Sequence, residues 1–499
     1  MRFKFRFLPV ALAAAMLTAT LGGCGTTGPT TDPGNTPGNT DTPARPTAFD
    51  EDNIVLSFSA MSDIHQQMGK TQYADMLFNA LDYAKELNGG DLDLALFAGD
   101  LTEETWRQTG QNDNYRTDYN ADVAMLKETL ERSLDLTKTA VFYALGNHDT
   151  DPSGIGVNKG GVELMAQMPA LFHSQLGEQF FTADAEDSIP DAGLRHAIVN
   201  GYHFLAVNPD TYWNLRGYSD ETLTWLDNQL KSLTEANPDQ YVFVTAHPPM
   251  YGTVFGSFTN DWADRDVQDV LSKYPQVVYF SGHIHNVLQD EIQISQDGFF
   301  TAVDCGSVKY TGIMNDINDA RNASFDNSLG TRFDDFSQGL LVQVDKNGNV
   351  RINRCDFYQR NTMKDPWELS YPQEDNSHLL PYDNDSRRDN NVAPVFAEDA
   401  TFDVTKTGDT LTLRWDAATD DDMVRYYRIV VSRVENGKST RVEVLNIATF
   451  TYQWDSVEDM PKEFTYSKVV NYSGEYTFEC YPVDIWGAQG KAITATLTV

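Results

Sequence analysis

Cysteine is scarce in this chain: its 499 residues hold only Cys24, Cys305, Cys355 and Cys480. Cys24 belongs to an N-terminal pattern of its own, so three are left, an odd number and too few for a disulfide framework. A Cys305–Cys355 bridge stays open, with unpaired buried thiols as the preferred reading. Basic side chains are also short, 37 Lys+Arg against 73 Asp+Glu for a net charge of −36. That balance excludes a binder of nucleic-acid duplexes, which needs clustered Lys and Arg. Beyond the N-terminus no apolar run approaches the roughly 20 residues of a membrane helix. No internal repeat at a fixed period is visible.

What is there begins with "MRFKFRFLPVALAAAMLTATLGGCG": basic residues, an apolar run, then small residues up to Cys24. This is the pattern of a secretory signal. The segment resembles a bacterial lipoprotein signal, with Leu21, Gly22 and Gly23 before the cysteine. The resemblance implies cleavage after residue 23, lipidation of Cys24, and an extracytoplasmic protein held to the bacterial cell membrane by that lipid alone. An ordinary cleaved signal is the alternative. Residues 24–51, rich in Gly, Pro, Thr and Asn, cannot bury enough surface to offset their ordering entropy and read as a flexible tether.

From residue 52 to about 360, short apolar runs alternate with amphipathic helices, the mark of α/β organisation. One helix places Tyr73, Leu77, Ala80, Leu81, Ala84 and Leu87 on one face and stops at Asn88-Gly89; another spans Ser219–Leu233. Strands are predicted near 140–147, 202–208, 240–247, 276–283 and 339–345. Residues 361–393 are polar and irregular and read as a connection that wraps the preceding domain. From 394 to 499 short strands follow one another without helices. This part resembles a fibronectin type III domain, an all-β immunoglobulin-like sandwich. Trp415 falls at that family's core tryptophan, Tyr476–Asp484 matches its tyrosine-corner strand, and Cys480 then points inward.

Histidine is rare too, nine in all, yet five fall in short motifs that each follow an apolar run. The motifs are "SDIH" (Asp63, His65), "AGDLTE" (Asp100, Glu103), "GNHD" (Asn147, His148, Asp149), "TAHPP" (His247) and "SGHIHN" (His283, His285). Ligands of open α/β sheets bind at the carboxyl ends of strands, so these side chains are expected in one crevice. Imidazole with carboxylate and without thiolate suits Mn, Fe or Zn. Any single Asp-x-His or His-x-His is as often structural as catalytic; five together at strand ends are not. A β-lactamase-like dinuclear site would need a His-x-His-x-Asp-His cluster, which the chain lacks.

The ordered set Asp-x-His, Gly-Asp, Gly-Asn-His-Asp, His and Gly-His-x-His resembles the calcineurin-like metallophosphoesterase family. The resemblance implies a four-layer α/β/β/α sandwich over residues 52–360 and two divalent ions. One ion would be held by Asp63, His65, Asp100 and His285, the other by Asp100, Asn147, His247 and His283, with Asp100 bridging. It further implies that a hydroxide shared by the ions attacks phosphorus and that His148 faces the phosphate. The acidic partner of that histidine stands three residues after the bridging Asp in many members; here it is Glu103, one methylene longer. Glu103 and "GNHD" disfavour the purple acid phosphatase branch. The expected activity is a phosphodiesterase on a small phosphate ester, with a phosphomonoesterase, a nucleotidase or a non-catalytic surface-binding scaffold as alternatives. The C-terminal domain is expected to position the enzyme or to contact an extracellular partner. Asp149 is expected to support its loop, and His173 and His203 to be core or half-buried. Aromatic stretches at 208–218 and 251–262 are candidates to wall the cleft.

Overall fold

The computed structural model describes residues 47–103, 115–150, 166–210, 217–258, 263–311, 336–372, 380–449 and 461–499. The signal sequence, Cys24 and most of the expected tether lie outside them. Residues 47–51 do not continue as tether. Asp50 N donates to Asp345 Oδ2 at 2.9 Å and Ala48 O accepts from Asn349 Nδ2 at 3.1 Å, so backbone groups of this strip find partners on a hairpin of the first domain.

Two sheets face each other in that domain. The first contains β1 (Ile54–Met61), β2 (Leu94–Ala98) and β3 (Ala140–Ala144) in parallel, extended by antiparallel β10 (Gln338–Asp345) and β11 (Val350–Asp356). The second has β4 (Arg195–Val199), β5 (Tyr202–Ala206), β6 (Val242–Thr245), β7 (Val277–Ser281), β8 (Ile294–Ser295) and β9 (Thr301–Asp304), with β5, β6, β7 and β9 parallel. Alternate residues decide the layers. Leu56, Phe58 and Ala60 of β1, with Leu94, Leu96 and Ala98 of β2, meet Phe204, Phe243 and Phe280 between the sheets. The ring of Phe58 contacts those three edge-on at 5.0–5.8 Å. The opposite faces are covered by helices: α1 (Thr71–Asn88), α2 (Tyr115–Ser133) and α4 (Met168–Leu176) over the first sheet, α5 (Asp220–Ala236) and α6 (Asp266–Leu271) over the second. A four-residue helix, α3 (Asn147–Thr150), follows β3. The result is the expected α/β/β/α stack, and burial on both faces explains why its strands read as unbroken apolar runs.

The helix predicted at 73–87 is α1, closed by Gly89 in the left-handed conformation at φ 75°. Its buried face is Ala74, Leu77, Ala80, Leu81, Tyr83 and Ala84. Leu87, expected inside, is 37% exposed in the last turn, and Tyr73 is half-buried. The first sheet continues past residue 360, because β12 (Asn361–Thr362) and β13 (Trp367–Leu369) pair with β11. Part of the connecting segment also reaches the second sheet: Arg387 of α7 (Asn384–Asn390) donates to Glu291 O and Ile294 O.

Residues beyond 394 form two antiparallel sheets. One contains β14 (Phe402–Thr407), β15 (Thr410–Asp416) and β18 (Glu463–Val469); the other β16 (Val424–Glu435), β17 (Lys438–Ala448), β19 (Glu475–Asp484) and β20 (Ile493–Thr498). Leu411, Leu413 and Trp415 alternate inward along β15. Trp415 is fully buried, stacks on Phe464 at 5.9 Å and meets Tyr427 edge-on. Cys480 lies in this core, and Cys305, Cys355 and Cys480 are all buried free thiols, so the bridge left open above is not made.

Phe58→Ala is expected to lower stability by about 3–5 kcal/mol in urea unfolding, because the surrounding rings cannot collapse into the space. Ile198→Ala, at a strand residue 45% exposed, should change it by less than about 0.5 kcal/mol.

Candidate metal centre

Each motif begins where a parallel strand ends, and the loops bond to one another there. Asp63 N donates to Gly99 O, Ile64 N and His65 N to Asp100 O, and Gly282 N to His247 O, all at 2.9–3.1 Å. The turns are tight enough to force left-handed backbone at side-chain-bearing residues. Of ten positive-φ non-glycine residues among those described, five are candidate ligands: Asp63 (56°), His65 (49°), Asp100 (50°), His283 (75°) and His285 (49°). Such conformations cost of order 1 kcal/mol or more each and persist only where the surroundings impose them. Two glycines make room. A Cβ at Gly146 would stand 2.1 Å from Asp100 Oδ1, and one at Gly282 would stand 1.7 Å from Ser62 Oγ and 2.5 Å from Asp63 Oδ2.

The side chains converge. Asp63 Oδ1 lies 2.8 Å from His285 Nε2, 3.8 Å from His65 Nε2 and 3.9 Å from His247 Nε2. Asp100 Oδ2 lies 3.1 Å from His247 Nε2 and 4.0 Å from His65 Nε2 and His148 Nε2. Three groups have ligand atoms mutually within 4.8 Å: Asp63, His65, Asp100 and His285; His65, Glu103 and His148; and Asp100, His247 and His283. Asp100 belongs to the first and the last. Backbone carbonyls fix the rings, since His247 Nδ1 pairs with Ala98 O at 2.7 Å and His285 Nδ1 with Tyr310 O at 3.2 Å, leaving each Nε2 directed inward. Asn147 and His148 open α3 beside this cluster, and His148 N donates to Asp100 Oδ1 at 2.8 Å.

Electrostatics separate the groups. Burial works against the charge on Asp63, but His285 and His247 prevail and hold its carboxyl at about 2; Asp100 is likewise lowered, by His247 and His148 against burial. Burial and His148 push His65 down to about 4, and burial and His247 push His283 to about 3. His247, desolvated but facing Asp100, rises to about 9. Two carboxylates stay ionised while two imidazoles keep their lone pairs, the donor set a divalent cation requires. His65 Nε2 is buried and has no hydrogen-bond partner among the described residues, an orphaned atom in the middle of that set.

Residues 56–287 match the model of the family described as calcineurin-like phosphoesterase. The chain carries a calcineurin-like phosphoesterase domain. No curated protein matches the chain. Among solved structures it is similar to a 5'-nucleotidase precursor from Thermus thermophilus, at 12% identity over 66% of this chain and 57% of that one, with a TM-score of 0.29. A β-glucuronidase from Parabacteroides merdae is similar at 9% identity over 89% of this chain and 62% of that one, with a TM-score of 0.26. The chain thus spans little more than half the nucleotidase's length, and likenesses at these TM-scores bear on neither fold nor activity.

Around the candidate ligands of the phosphoesterase domain stand residues that orient them. Asp149 supports the loops as expected: its carboxylate accepts from Leu101 N, Thr102 N, Thr102 Oγ1 and Gly146 N at 2.8–3.1 Å, tying the Asp100 loop to the Asn147 loop. Glu103 stands beside His148 as expected, one ligand atom each of Glu103, His148 and His65 lying within 4.8 Å of the others, and it also pairs with His65, Oε2 2.9 Å from Nδ1. Lys309, absent from the sequence reading, pairs with the same oxygen at 2.9 Å and lies over the Tyr73 ring at 4.4 Å. Tyr310 is 4.2 Å from the His285 ring. Both lie on "GSVKYTG" after β9, one more parallel strand end, whose motif lacks histidine and so gave no signal. Of the aromatic stretches, 211–216 and 259–262 lie outside the described residues, and Phe255 packs against Met423 and Ile485 of the C-terminal domain rather than walling a cleft. His173 pairs with Asp191 at 2.7 Å and His203 with His196 at 2.9 Å, both half-buried as expected.

Glu103→Gln is expected to weaken manganese binding by about 10- to 100-fold, because a neutral amide no longer polarises the His65 ring. Calorimetric titration of the metal-free protein checks it, with Glu103→Asp retaining part of the affinity.

Proposed function

We propose that the phosphoesterase domain is a dinuclear metal-dependent hydrolase of small phosphate esters, acting on diesters in preference to monoesters. The observation that carries this is Asp100: its carboxylate stands in two of the ligand groups at once, which a mononuclear centre does not need. Asp63, His65, Asp100 and His285 would hold one ion, and Asp100, Asn147, His247 and His283 the other. When bound, a pair of such ions lowers the pKa of water and neutralises charge on a transferring phosphoryl group.

The chain's own residues do the rest. The His148 side chain is 15% exposed, whereas Asp63, His65 and His247 have no exposed surface, so it is available to a substrate. Its backbone N–H is fixed on Asp100, which sets the ring at the rim of the centre. There its imidazole stabilises the phosphoryl oxygens or protonates the leaving alkoxide. Glu103 holds the His65 ring, with Lys309 balancing its charge; because that ammonium is already engaged with Glu103, it is not available as a further cation for the second negative charge of a monoester, which favours diesters. A phosphomonoesterase or nucleotidase on the same centre is the second reading. We further assign residues 1–23 to a lipoprotein signal, Cys24 to lipidation and an extracytoplasmic site at the membrane, and residues 394–499 to a fibronectin type III-like domain, readings that rest on sequence pattern and, for the last, on its two antiparallel sheets.

The test is turnover of a chromogenic diester and its monoester by the full chain with manganese. His148→Ala should lower kcat by about 10²–10⁴-fold, and Asp100→Asn should abolish turnover together with the second equivalent of metal. Near-wild-type hydrolysis by Asp100→Asn would sink the bridging role; faster monoester than diester turnover would establish the second reading. Incorporation of labelled fatty acid that disappears in Cys24→Ser checks the anchor.

A further inference from the structure

The phosphoesterase domain and the C-terminal sandwich meet at a buried ion pair. Arg425, at the start of β16, is 7% exposed and places Nη1 3.1 Å from Oδ2 of Asp290, whose side chain is 1% exposed. The same guanidinium lies 3.4 Å over the ring centroid of Phe255. Met423 and Ile485 of the sandwich complete an apolar cluster with Phe255 and Ile292.

Both residues that Arg425 touches belong to loops that carry candidate ligands. Asp290 closes the loop of His283 and His285: its carboxylate accepts from Ile292 N at 3.0 Å and from Asn286 Nδ2, on the residue after His285, at 3.5 Å. Phe255 lies on the loop that follows His247. At its neighbour Gly256 a Cβ would touch the Ile284 side chain at 3.4 Å, so this loop runs directly against the residue between His283 and His285. One rigid, permanently charged guanidinium therefore bears on both loops.

We propose that Arg425 is a positioning residue for the metal centre, and that the sandwich braces the His247 and His283/His285 loops and is not a detachable binding module. The inference rests on the metal-hydrolase reading above. Removing the guanidinium takes from buried Asp290 the counter-charge that touches it and leaves only the weaker influence of Lys364; the loop relieves this by moving or by admitting water, and His285 moves with it.

The test compares the full chain with Arg425→Ala, Arg425→Lys and Asp290→Asn, measuring manganese affinity by calorimetry, far-UV circular dichroism, and kcat and KM for the diester. Arg425→Ala should bind manganese about tenfold more weakly and lose kcat with little change in KM, its circular dichroism unaltered, and Arg425→Lys should recover part of both. Asp290→Asn removes the ion pair from the other side, so it reports where Arg425→Ala fails to fold, and should shift affinity in the same direction. Wild-type affinity and kcat in the folded alanine or asparagine variant would overturn the brace alone. A wild-type chain that binds no manganese and hydrolyses neither ester would overturn the metal-hydrolase reading, and the brace with it.

Discussion

Asp100 is held from several sides at once. Its backbone carbonyl receives Ile64 N and His65 N, one carboxylate oxygen receives His148 N, and the other faces His247. Gly146 leaves open the space beside it, where a Cβ would stand 2.1 Å from Oδ1. The two sheets are packed on Phe58, Phe204, Phe243 and Phe280 so that the β1–β3 loops and the β6, β7 and β9 loops open at one end of that core. Without this stacking, carboxylates from the first sheet and imidazoles from the second would not meet. The positive-φ backbone at five candidate ligands is a cost the core supports, and these residues stand where close approach of loops is needed.

The electrostatic arrangement has the same logic. Buried like charges are expensive, yet this centre gathers two carboxylates and several imidazoles with almost no solvent. Ionised Asp63 and Asp100 are tolerated because histidines face them, and His65 and His283 stay neutral because burial and neighbouring histidines disfavour their charge. Such a set is poor as a stabilising core and good as a receptor for cations. The surrounding carboxylates of Glu103 and Asp149 do not join the ligand groups of Asp100; they fix a ring and two loops, which is how an ion site gains rigidity beyond its direct donors.

How much of this was legible follows from what each signal depends on. Strands buried on both faces write themselves as apolar runs, and each motif stands directly after one, so the convergence of Asp63, Asp100, His247 and His283 could be read without coordinates. The sandwich was legible from alternation, as in Leu411, Leu413 and Trp415. The pairing of Glu103 with His65, in addition to its place beside His148, was not, since spacing along the chain does not encode side-chain direction. Lys309 was not, because "TAVD" is a four-residue strand and its loop bears no histidine. Leu87 was misplaced because periodicity carries no information on where a helix leaves the sheet it covers.

Arg425 was the least legible of all, an arginine in a run of four buried residues at the start of β16, the one charge there among apolar and aromatic side chains. Its meaning depends on Asp290, far earlier in the sequence, on a loop whose own importance comes from His285. A buried ion pair is weak evidence for stability, since hydrophobic residues of similar volume often do as well. It is better evidence for orientation: a guanidinium over Phe255 and paired with Asp290 admits one placement of the two loops, where an apolar contact of equal area would let them slide. Lys364, paired with both Glu291 and Asp422, ties the connecting segment to the same corner. The anchoring of Lys364 then has a physical role as well. By holding the sandwich against the loops that follow β6 and β7, it makes the distance between His247 and His285 a property of the whole chain and not only of the domain that contains them.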